Sequence, residues 1–300
     1  MLKTQRQEKM WLVTQPDHAQ VSGYLAAHWG NEEFARPGYF ADSADPERLR
    51  AEMVFAIAEH DNGWWEWEAD PPLSAEDGLP QGLGEVLKNP VAGMERWRLG
   101  IPRLAERHPY ASLLIGDHAY WLYAAQFDPD PPPEFTHHLH RGRSLYPKEL
   151  ETEARRFLAD VREMQEAFRR RLEEDRFWRA ALEPEHRNPH VRLLQTSDVL
   201  SLALCSAVIA PVEGEAKGLG EDHVVFHEVP RRSWEDRVSI ALKPLGDRRI
   251  ACDPYPFDQD PLQIVVRARI FDLPADHSTQ FQTWWHSEPP QLIRFEYCSS

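Results

Sequence analysis

The feature that most constrains this chain is a set of polar, metal-capable side chains placed on otherwise apolar helix stripes. His60 and Asp61 close a helix-like run, Pro46 to Asp61, that breaks at Asn62-Gly63. Leu49, Met53 and Ile57 recur there at four-residue steps, and His60 and Asp61 extend their stripe. His18 shares a face with Val21 and Leu25. Asp198 shares one with Val191, Leu194, Leu202 and Cys205. An unpaired buried carboxylate is very costly, so Asp198 needs a metal, a cation or several donors. The order His, His-Asp, Asp is that of a metal site assembled from separate helices.

Start and stop signals divide the chain. Residues 1–13 read as a short strand or arm. Thr14 opens a helix, with Pro16 in the first turn and Asp17 giving a capping-box-like start; Gly30 stops it. Asp45-Pro46 starts the next, and Gly63 fits a helix C-terminal signal. Residues 64–90, rich in Pro, Gly and Asp, read as a long ordered loop carrying Trp64, Trp65 and Trp67. A helix is expected over 93–106. Another starts at Pro109, its stripe Leu114, Ile115, His118 and Leu122 including a histidine. A Pro-rich break spans 128–147. The longest helical stretch follows, 149–182, its clustered charges reading as a solvated face. Asn188-Pro189 restarts a helix that reaches Cys205.

After Ala210-Pro211 the texture changes. The segments RVSIAL, RRIACD, LQIVVRARI and QLIRFEY alternate apolar and polar residues with β-branched enrichment. The expected fold is therefore mainly α: a helical bundle over residues 1–210 and a small C-terminal antiparallel β module over 211–300.

Net charge is −15, which argues against a general binder of nucleic acid or acidic membrane. A phosphorylated small substrate stays open, because a bound metal inverts the local field. The three cysteines are widely spaced and form no C-x-x-C, so no zinc knuckle or disulfide framework is implied. With no apolar stretch suited to a signal peptide or membrane span, a cytoplasmic setting is expected. Phosphate-loop, dinucleotide and nucleophile-elbow motifs are absent from the sequence.

His18, His60, Asp61 and Asp198 offer imidazole and carboxylate donors, which suit a divalent transition metal: Zn, Mn, Fe or Ni. Such an ion lowers the pKa of its water towards ~7. His118 is a fifth candidate, as a ligand of a second metal or a contact to substrate phosphate. Trp64, Trp65 and Trp67 either wall a pocket or pin the loop. Each residue also has a bland account. A lone histidine on an apolar face can be a satisfied core residue, a helix-terminal His-Asp a cap, and a buried aspartate the partner of an arginine. His137-His138-x-His140, in the Pro-rich break, reads as an adventitious metal binder. His223 and His227 lie in strand texture, where their spacing does not converge on one ion. His186 and His190 straddle Pro189, where capping is expected.

The ordered set His18, His60-Asp61, Asp198 resembles the HD-domain superfamily of helical metal-dependent phosphohydrolases. More closely, VTQPDHAQVSGYLAAHWG, EHDNGWWEW, HPYASLLIGDHAYWLY, RLLQTSDVLSLALC and CDPYPF resemble a bacterial family, domain of unknown function family 3891. The superfamily resemblance implies an all-α metal-binding domain, His18, His60, Asp61 and Asp198 as ligands, and phosphoester or nucleotide hydrolysis. Some HD-like enzymes are di-iron oxygenases with extra histidine ligands, and His118 keeps that reading open. One departure stands out. Many members read HD-x-G-K, whereas Trp64 occupies the lysine position here.

The expected function is a metal-dependent hydrolase of a small phosphorylated or nucleotide-like substrate. Asp61 orients the attacking water, His118 binds substrate or gives a proton to the leaving group, and Trp64 contacts substrate. The partner is a small anionic molecule rather than nucleic acid or membrane, and a homo-oligomer is compatible. The alternatives are a non-catalytic HD-like binding protein and a di-iron oxygenase.

Overall fold

The computed structural model describes residues 1–88, 90–125, 132–140, 148–273 and 281–300. Much of the Pro-rich break read over 128–147 lies outside the described residues, as does the side chain of His140. A hairpin opens the chain: β1 (Leu2–Arg6) pairs antiparallel with β2 (Lys9–Val13), Leu2 opposite Val13. Thr14 then caps α1 (Gln15–Ala27), its hydroxyl accepting the Asp17 N–H at 3.0 Å. Asp45 caps α2 (Pro46–Ala58), accepting the Arg48 N–H at 3.0 Å. Both starts follow the local chemistry of a short polar side chain just ahead of a proline-led first turn.

The stretch expected as one long loop holds two short helices, α3 (Trp65–Ala69) and α4 (Leu83–Lys88). Next come α5 (Val91–Arg103) and α6 (Pro109–Ala124). The long stretch expected over 149–182 is two helices, α7 (Glu151–Leu172) and α8 (Arg176–Ala181). Asp175 starts the second by accepting the Phe177 N–H at 2.8 Å. The last long helix, α9 (Pro184–Cys205), begins before Pro189 and carries it inside. Pro184 in the first turn is the start signal. Pro189 removes one backbone donor without ending a helix whose remaining turns are buried.

The C-terminal part contributes β3 (Val224–Pro230), β4 (Arg237–Gly246), β5 (Arg249–Asp253), β6 (Leu262–Asp272), α10 (Phe281–Ser287) and β7 (Gln291–Cys298). Along β6, Leu262, Ile264, Val266 and Ala268 point inward while the residues between them are exposed or half-buried. This is the period of two that half-buried strands require.

The expectation of a mainly α chain with a small C-terminal antiparallel β module is overturned. The fold is α/β, 47% helix and 20% strand, and its seven strands form one mixed sheet curved into a half-barrel. Strand order is β1-β2-β6-β7-β5-β4-β3. All neighbours are antiparallel except β5 and β7, where Ile250 lies opposite Tyr297 in parallel. The N-terminal hairpin joins the C-terminal strands through β2 and β6, Trp11 opposite Ile270. The sequence pattern misled because two five-residue strands carry little periodicity of their own. Their partner lies at the far end of the chain.

Helices and sheet share one core. α1 packs on β6 and α9 on β3, and the Tyr297 hydroxyl donates to the Leu200 carbonyl of α9 at 2.9 Å. The helix–helix side of α9 is sealed by His190, whose Nε2 accepts the Gly38 N–H at 3.1 Å and whose Nδ1 lies 2.8 Å from the Tyr110 hydroxyl. Burial, reinforced by His186, pushes the His190 pKa down to about 3. An unfolded histidine titrates near 6.5, so from pH 6.5 down towards 3 the unfolded chain binds the extra proton. The stabilisation is fully present above pH 6.5 and is lost as pH falls through that window. Urea unfolding at pH 7 and pH 5 should show wild type losing about 2 kcal/mol more than His190→Gln between the two. Equal losses would exclude His190 as the source of acid sensitivity.

Candidate metal centre

Three helices and one turn deliver the polar cluster. His18 comes from α1, His118 from α6 and Asp198 from α9. His60 and Asp61 do not end α2 as helical residues. The helix stops at Ala58, and the pair lies in the turn leading to a 3-10 segment, Asn62–Trp64. Gly63 serves this turn by close approach. A Cβ there would run into the Arg96 carbonyl of α5, so glycine is required by packing rather than as a left-handed helix cap.

The four side chains singled out from the sequence meet in space, with His118 beside them. His18 Nε2 lies 3.3 Å from Asp61 Oδ2 and 3.3 Å from Asp198 Oδ1. His60 Nε2 lies 3.6 Å from Asp61 Oδ2 and 3.8 Å from Asp198 Oδ1. His118 Nε2 is 3.6 Å from Asp198 Oδ2. Ligand bonds of about 2.1 Å put neighbouring donors roughly 3.0–3.4 Å apart. These separations are closer to that spacing than to ordinary hydrogen bonds. Two buried trios, His18/His60/Asp61 and His60/His118/Asp198, each bring their donor atoms within 4.8 Å of one another and can hold a metal ion.

The imidazoles are held from behind. His60 Nδ1–H donates to the Ile57 carbonyl at 2.7 Å, which leaves the Nε2 lone pair facing the cluster. His18 Nδ1 bonds the Ser201 hydroxyl, which itself donates to the Asp198 carbonyl at 3.0 Å. With that hydroxyl proton committed, His18 Nδ1 carries the hydrogen and its Nε2 also faces inward. His118 is backed differently. Its ring meets Trp97 edge-on at 5.5 Å, and its Nδ1 is buried without a hydrogen-bond partner among the described residues.

His137, expected from the sequence only as an adventitious metal binder, lies at the cluster. Its Nε2 lies 2.9 Å from Asp198 Oδ2, while its Nδ1 accepts the Leu139 N–H. A clamp from α9 holds the segment in place. Gln195 Nε2 donates to the Phe135 carbonyl at 2.9 Å, and the buried Arg192 donates to the Thr136 carbonyl at 3.1 Å and to His138 Nε2 at 3.0 Å. A Pro-rich segment has no stripe on which an out-of-place histidine would show. The available signal was Arg192, a charge on the buried face of a helix two turns before Asp198. His223, His227, His186 and His190 do not join the cluster groups found among the described residues.

Burial keeps His118 far below the ordinary histidine pKa, and so neutral. Asp198 behaves in the opposite way. Burial works to raise its pKa, but the His137 hydrogen bond and the neighbouring His137, His60 and His18 rings outweigh it, and the carboxyl is held below its usual range. Among the described residues no lysine or arginine forms an ion pair with Asp61 or Asp198.

A cavity of about 50 Å³ adjoins the cluster. His18, His60, Asp61, His118 and Asp198 line it on one side, and its other walls include Trp64, Trp97, Leu83, Leu122 and Gln15. Trp64, singled out as a substrate contact, thus stands at the cavity and is buried. The cysteines are buried and free, and none joins the cluster. Among the described residues no helix is long and apolar enough to cross a membrane. No curated protein and no solved structure matches the chain. A family model matches residues 1–272, and the chain belongs to that family, described as "Protein of unknown function (DUF3891)".

Proposed function

We propose that this chain is a metal-dependent hydrolase whose centre is built on His18, His60, Asp61 and Asp198. One observation carries the reading. Two carboxylates, 5% and 4% exposed, share a site with four imidazoles and no lysine or arginine partner among the described residues. Two carboxylates in an interior with only histidines beside them are costly, and a divalent cation balances them. Nitrogen and oxygen donors without sulfur suit Zn, Mn, Fe or Ni. The order of the ligands, similar to that of HD-domain phosphohydrolases, supports the same reading.

When bound, such an ion supplies Lewis acidity and a water readily ionised near neutral pH. The protein's own groups supply the rest. His18 and His60 hold their Nε2 atoms inward, and His137 holds Asp198 in place. Asp61 is positioned to orient the attacking water. His118, kept neutral, is positioned to hydrogen-bond substrate or pass a proton to the leaving group. Among the described residues no lysine or arginine lines the cavity, so an anionic group would find its counter-charge at the ion. The cavity is far below the roughly 300–1,000 Å³ of pockets for drug-sized ligands. Small phosphorylated molecules therefore suit it better than nucleotides.

Chelator-stripped protein should release no phosphate from small phosphomonoesters, and reconstitution with one of the four metals should restore release. Asp61→Asn should lower the restored rate at least about a hundredfold. Protein that binds metal yet hydrolyses none of the panel would support a binding scaffold instead.

A second reading, a pair of ions, is favoured by the two oxygens of Asp198. Oδ1 faces His18 and His60, and Oδ2 faces His118 and His137. Two irons per chain with oxygen consumption would identify a di-iron oxygenase.

A further inference from the structure

Away from the metal centre, three connections close around a groove of about 1,040 Å³: the β1–β2 turn, the segment ahead of β3 and the β4–β5 turn. The groove shares no lining residue with the cavity beside the cluster. Its lining sets the cations Arg6, Lys217, Arg248 and Arg249 against the carboxylates of Glu221 and Asp247, a surplus of two positive charges. The chain as a whole carries a net charge of −15, so this concentration of cations departs from the rest of the molecule. Ion pairs commit two of the four, Arg6 to Glu221 at 3.0 Å and Arg249 to Glu296 at 3.2 Å. Lys217 and Arg248 are exposed and form no ion pair among the described residues.

The backbone sets this groove apart from an ordinary charged surface. Among the described residues five that are not glycine have a positive φ, and four of them line the groove: Gln7, Leu219, Asp247 and Arg248. Asp247 and Arg248, at φ 49° and 59°, form the two-residue β4–β5 turn between Gly246 and Arg249. A two-residue turn with both φ positive favours glycine at its second position. Here that position holds an arginine. Side chains kept in such unfavourable conformations cluster at ligand sites. The Arg248 guanidinium reaches over the Trp11 ring, 5.9 Å from its centroid, and the Arg248 carbonyl accepts the Glu296 N–H at 3.0 Å. The Lys217 backbone is fixed as well. The Asp222 carboxylate accepts its N–H at 2.9 Å and that of Gly218 at 2.5 Å, and Arg6 donates to the Gly218 carbonyl at 3.2 Å.

We propose that this groove is an anion site, separate from the metal centre, which receives the phosphate of a small molecule on Arg248 and Lys217. A planar guanidinium gives phosphate two parallel N–H donors, and an ammonium adds a compact charge beside them. The surplus of two positive charges matches the dianion of a phosphate monoester. An acidic membrane or a nucleic-acid strand presents negative charge over a long front, which a chain of net charge −15 repels. A small ligand meets only the groove.

The test is a ligand-observed NMR titration of the full chain after chelator treatment, with ribose 5-phosphate, inorganic phosphate and, as an uncharged control, ribose. Both phosphates are expected to bind and ribose is not. Arg248→Gly should weaken ribose 5-phosphate binding about tenfold, while its melting temperature stays at or above that of wild type because glycine suits the turn. Lys217→Gln should weaken binding by a similar factor. Tighter binding of the ester than of inorganic phosphate assigns the groove to an organic phosphate, and equal or weaker binding assigns it to the free ion. Chelator treatment removes any ion from the His/Asp cluster, so the result stands or falls apart from the metal-centre reading. Failure of both phosphates to bind, ribose binding as well as its phosphate, or an unchanged affinity in Arg248→Gly or in Lys217→Gln would overturn the assignment.

Discussion

Replacing His60 with alanine is expected to empty the metal centre and remove its contribution to stability. His60 is the residue common to both buried trios, with its Nε2 turned into the cluster by the Ile57 carbonyl. A ligand held by the folded state alone stabilises it by about 2.7 kcal/mol when present at a hundred times its dissociation constant. Wild-type protein should therefore lose several degrees of melting temperature on addition of EDTA, and His60→Ala should show no EDTA response. The variant also removes a ring packed edge-on against those of His18 and His118, at 5.1 and 5.4 Å between centroids. A lower melting temperature alone is thus uninformative. The decisive readout is the difference between melts with and without chelator. An equal EDTA shift in both proteins would place the metal elsewhere.

Asp117→Ala is expected to be the most destabilising single change near the centre, at about 3–5 kcal/mol. Asp117 precedes His118 on α6 and is 1% exposed. Arg187 of α9 grips it with two bonds, at 2.7 and 2.5 Å, and Gln165 of α7 adds a third at 2.7 Å. These bonds tie α6 to α7 and α9, and so fix the rotation that turns His118 into the cluster. Burial alone would lower the Arg187 pKa, but Asp117 more than offsets it and holds the guanidinium firmly protonated. Removing the carboxylate strands that charge. Replacing both partners with leucine should be far milder, because no unpaired charge remains. Denaturant unfolding of the single and double variants measures the contrast. An Asp117→Ala loss below about 1 kcal/mol would mean that the pair is solvent-screened and does not set the helix register.

The legible part of the centre was the part written on regular helices. His18 and Asp198 stood out because a polar side chain interrupts an apolar stripe of known period, and the His60-Asp61 pair because it prolongs one. His137 interrupts nothing. It belongs to a segment ordered by Arg192 and Gln195, whose partners lie more than fifty positions away. The fold divides in the same manner. Thr14 and Asp45 mark helix starts through bonds to residues three positions on, so the sequence announces them. The half-barrel depends on β2 finding β6 across most of the chain, and local alternation carries no information about that partner. Gly63 was visible as a break, but its cause, the nearby Arg96 carbonyl of α5, is a tertiary contact.

The central claim is that the buried His/Asp cluster is a metal site. The most direct measurement is elemental analysis of the purified protein together with anomalous diffraction from its crystals. The account predicts at least one divalent transition-metal ion per chain, with its anomalous peak about 2.1 Å from donor atoms of His18, His60, Asp61 and Asp198. Protein from metal-supplemented expression that contains no transition metal, with no peak among these four residues, would contradict it.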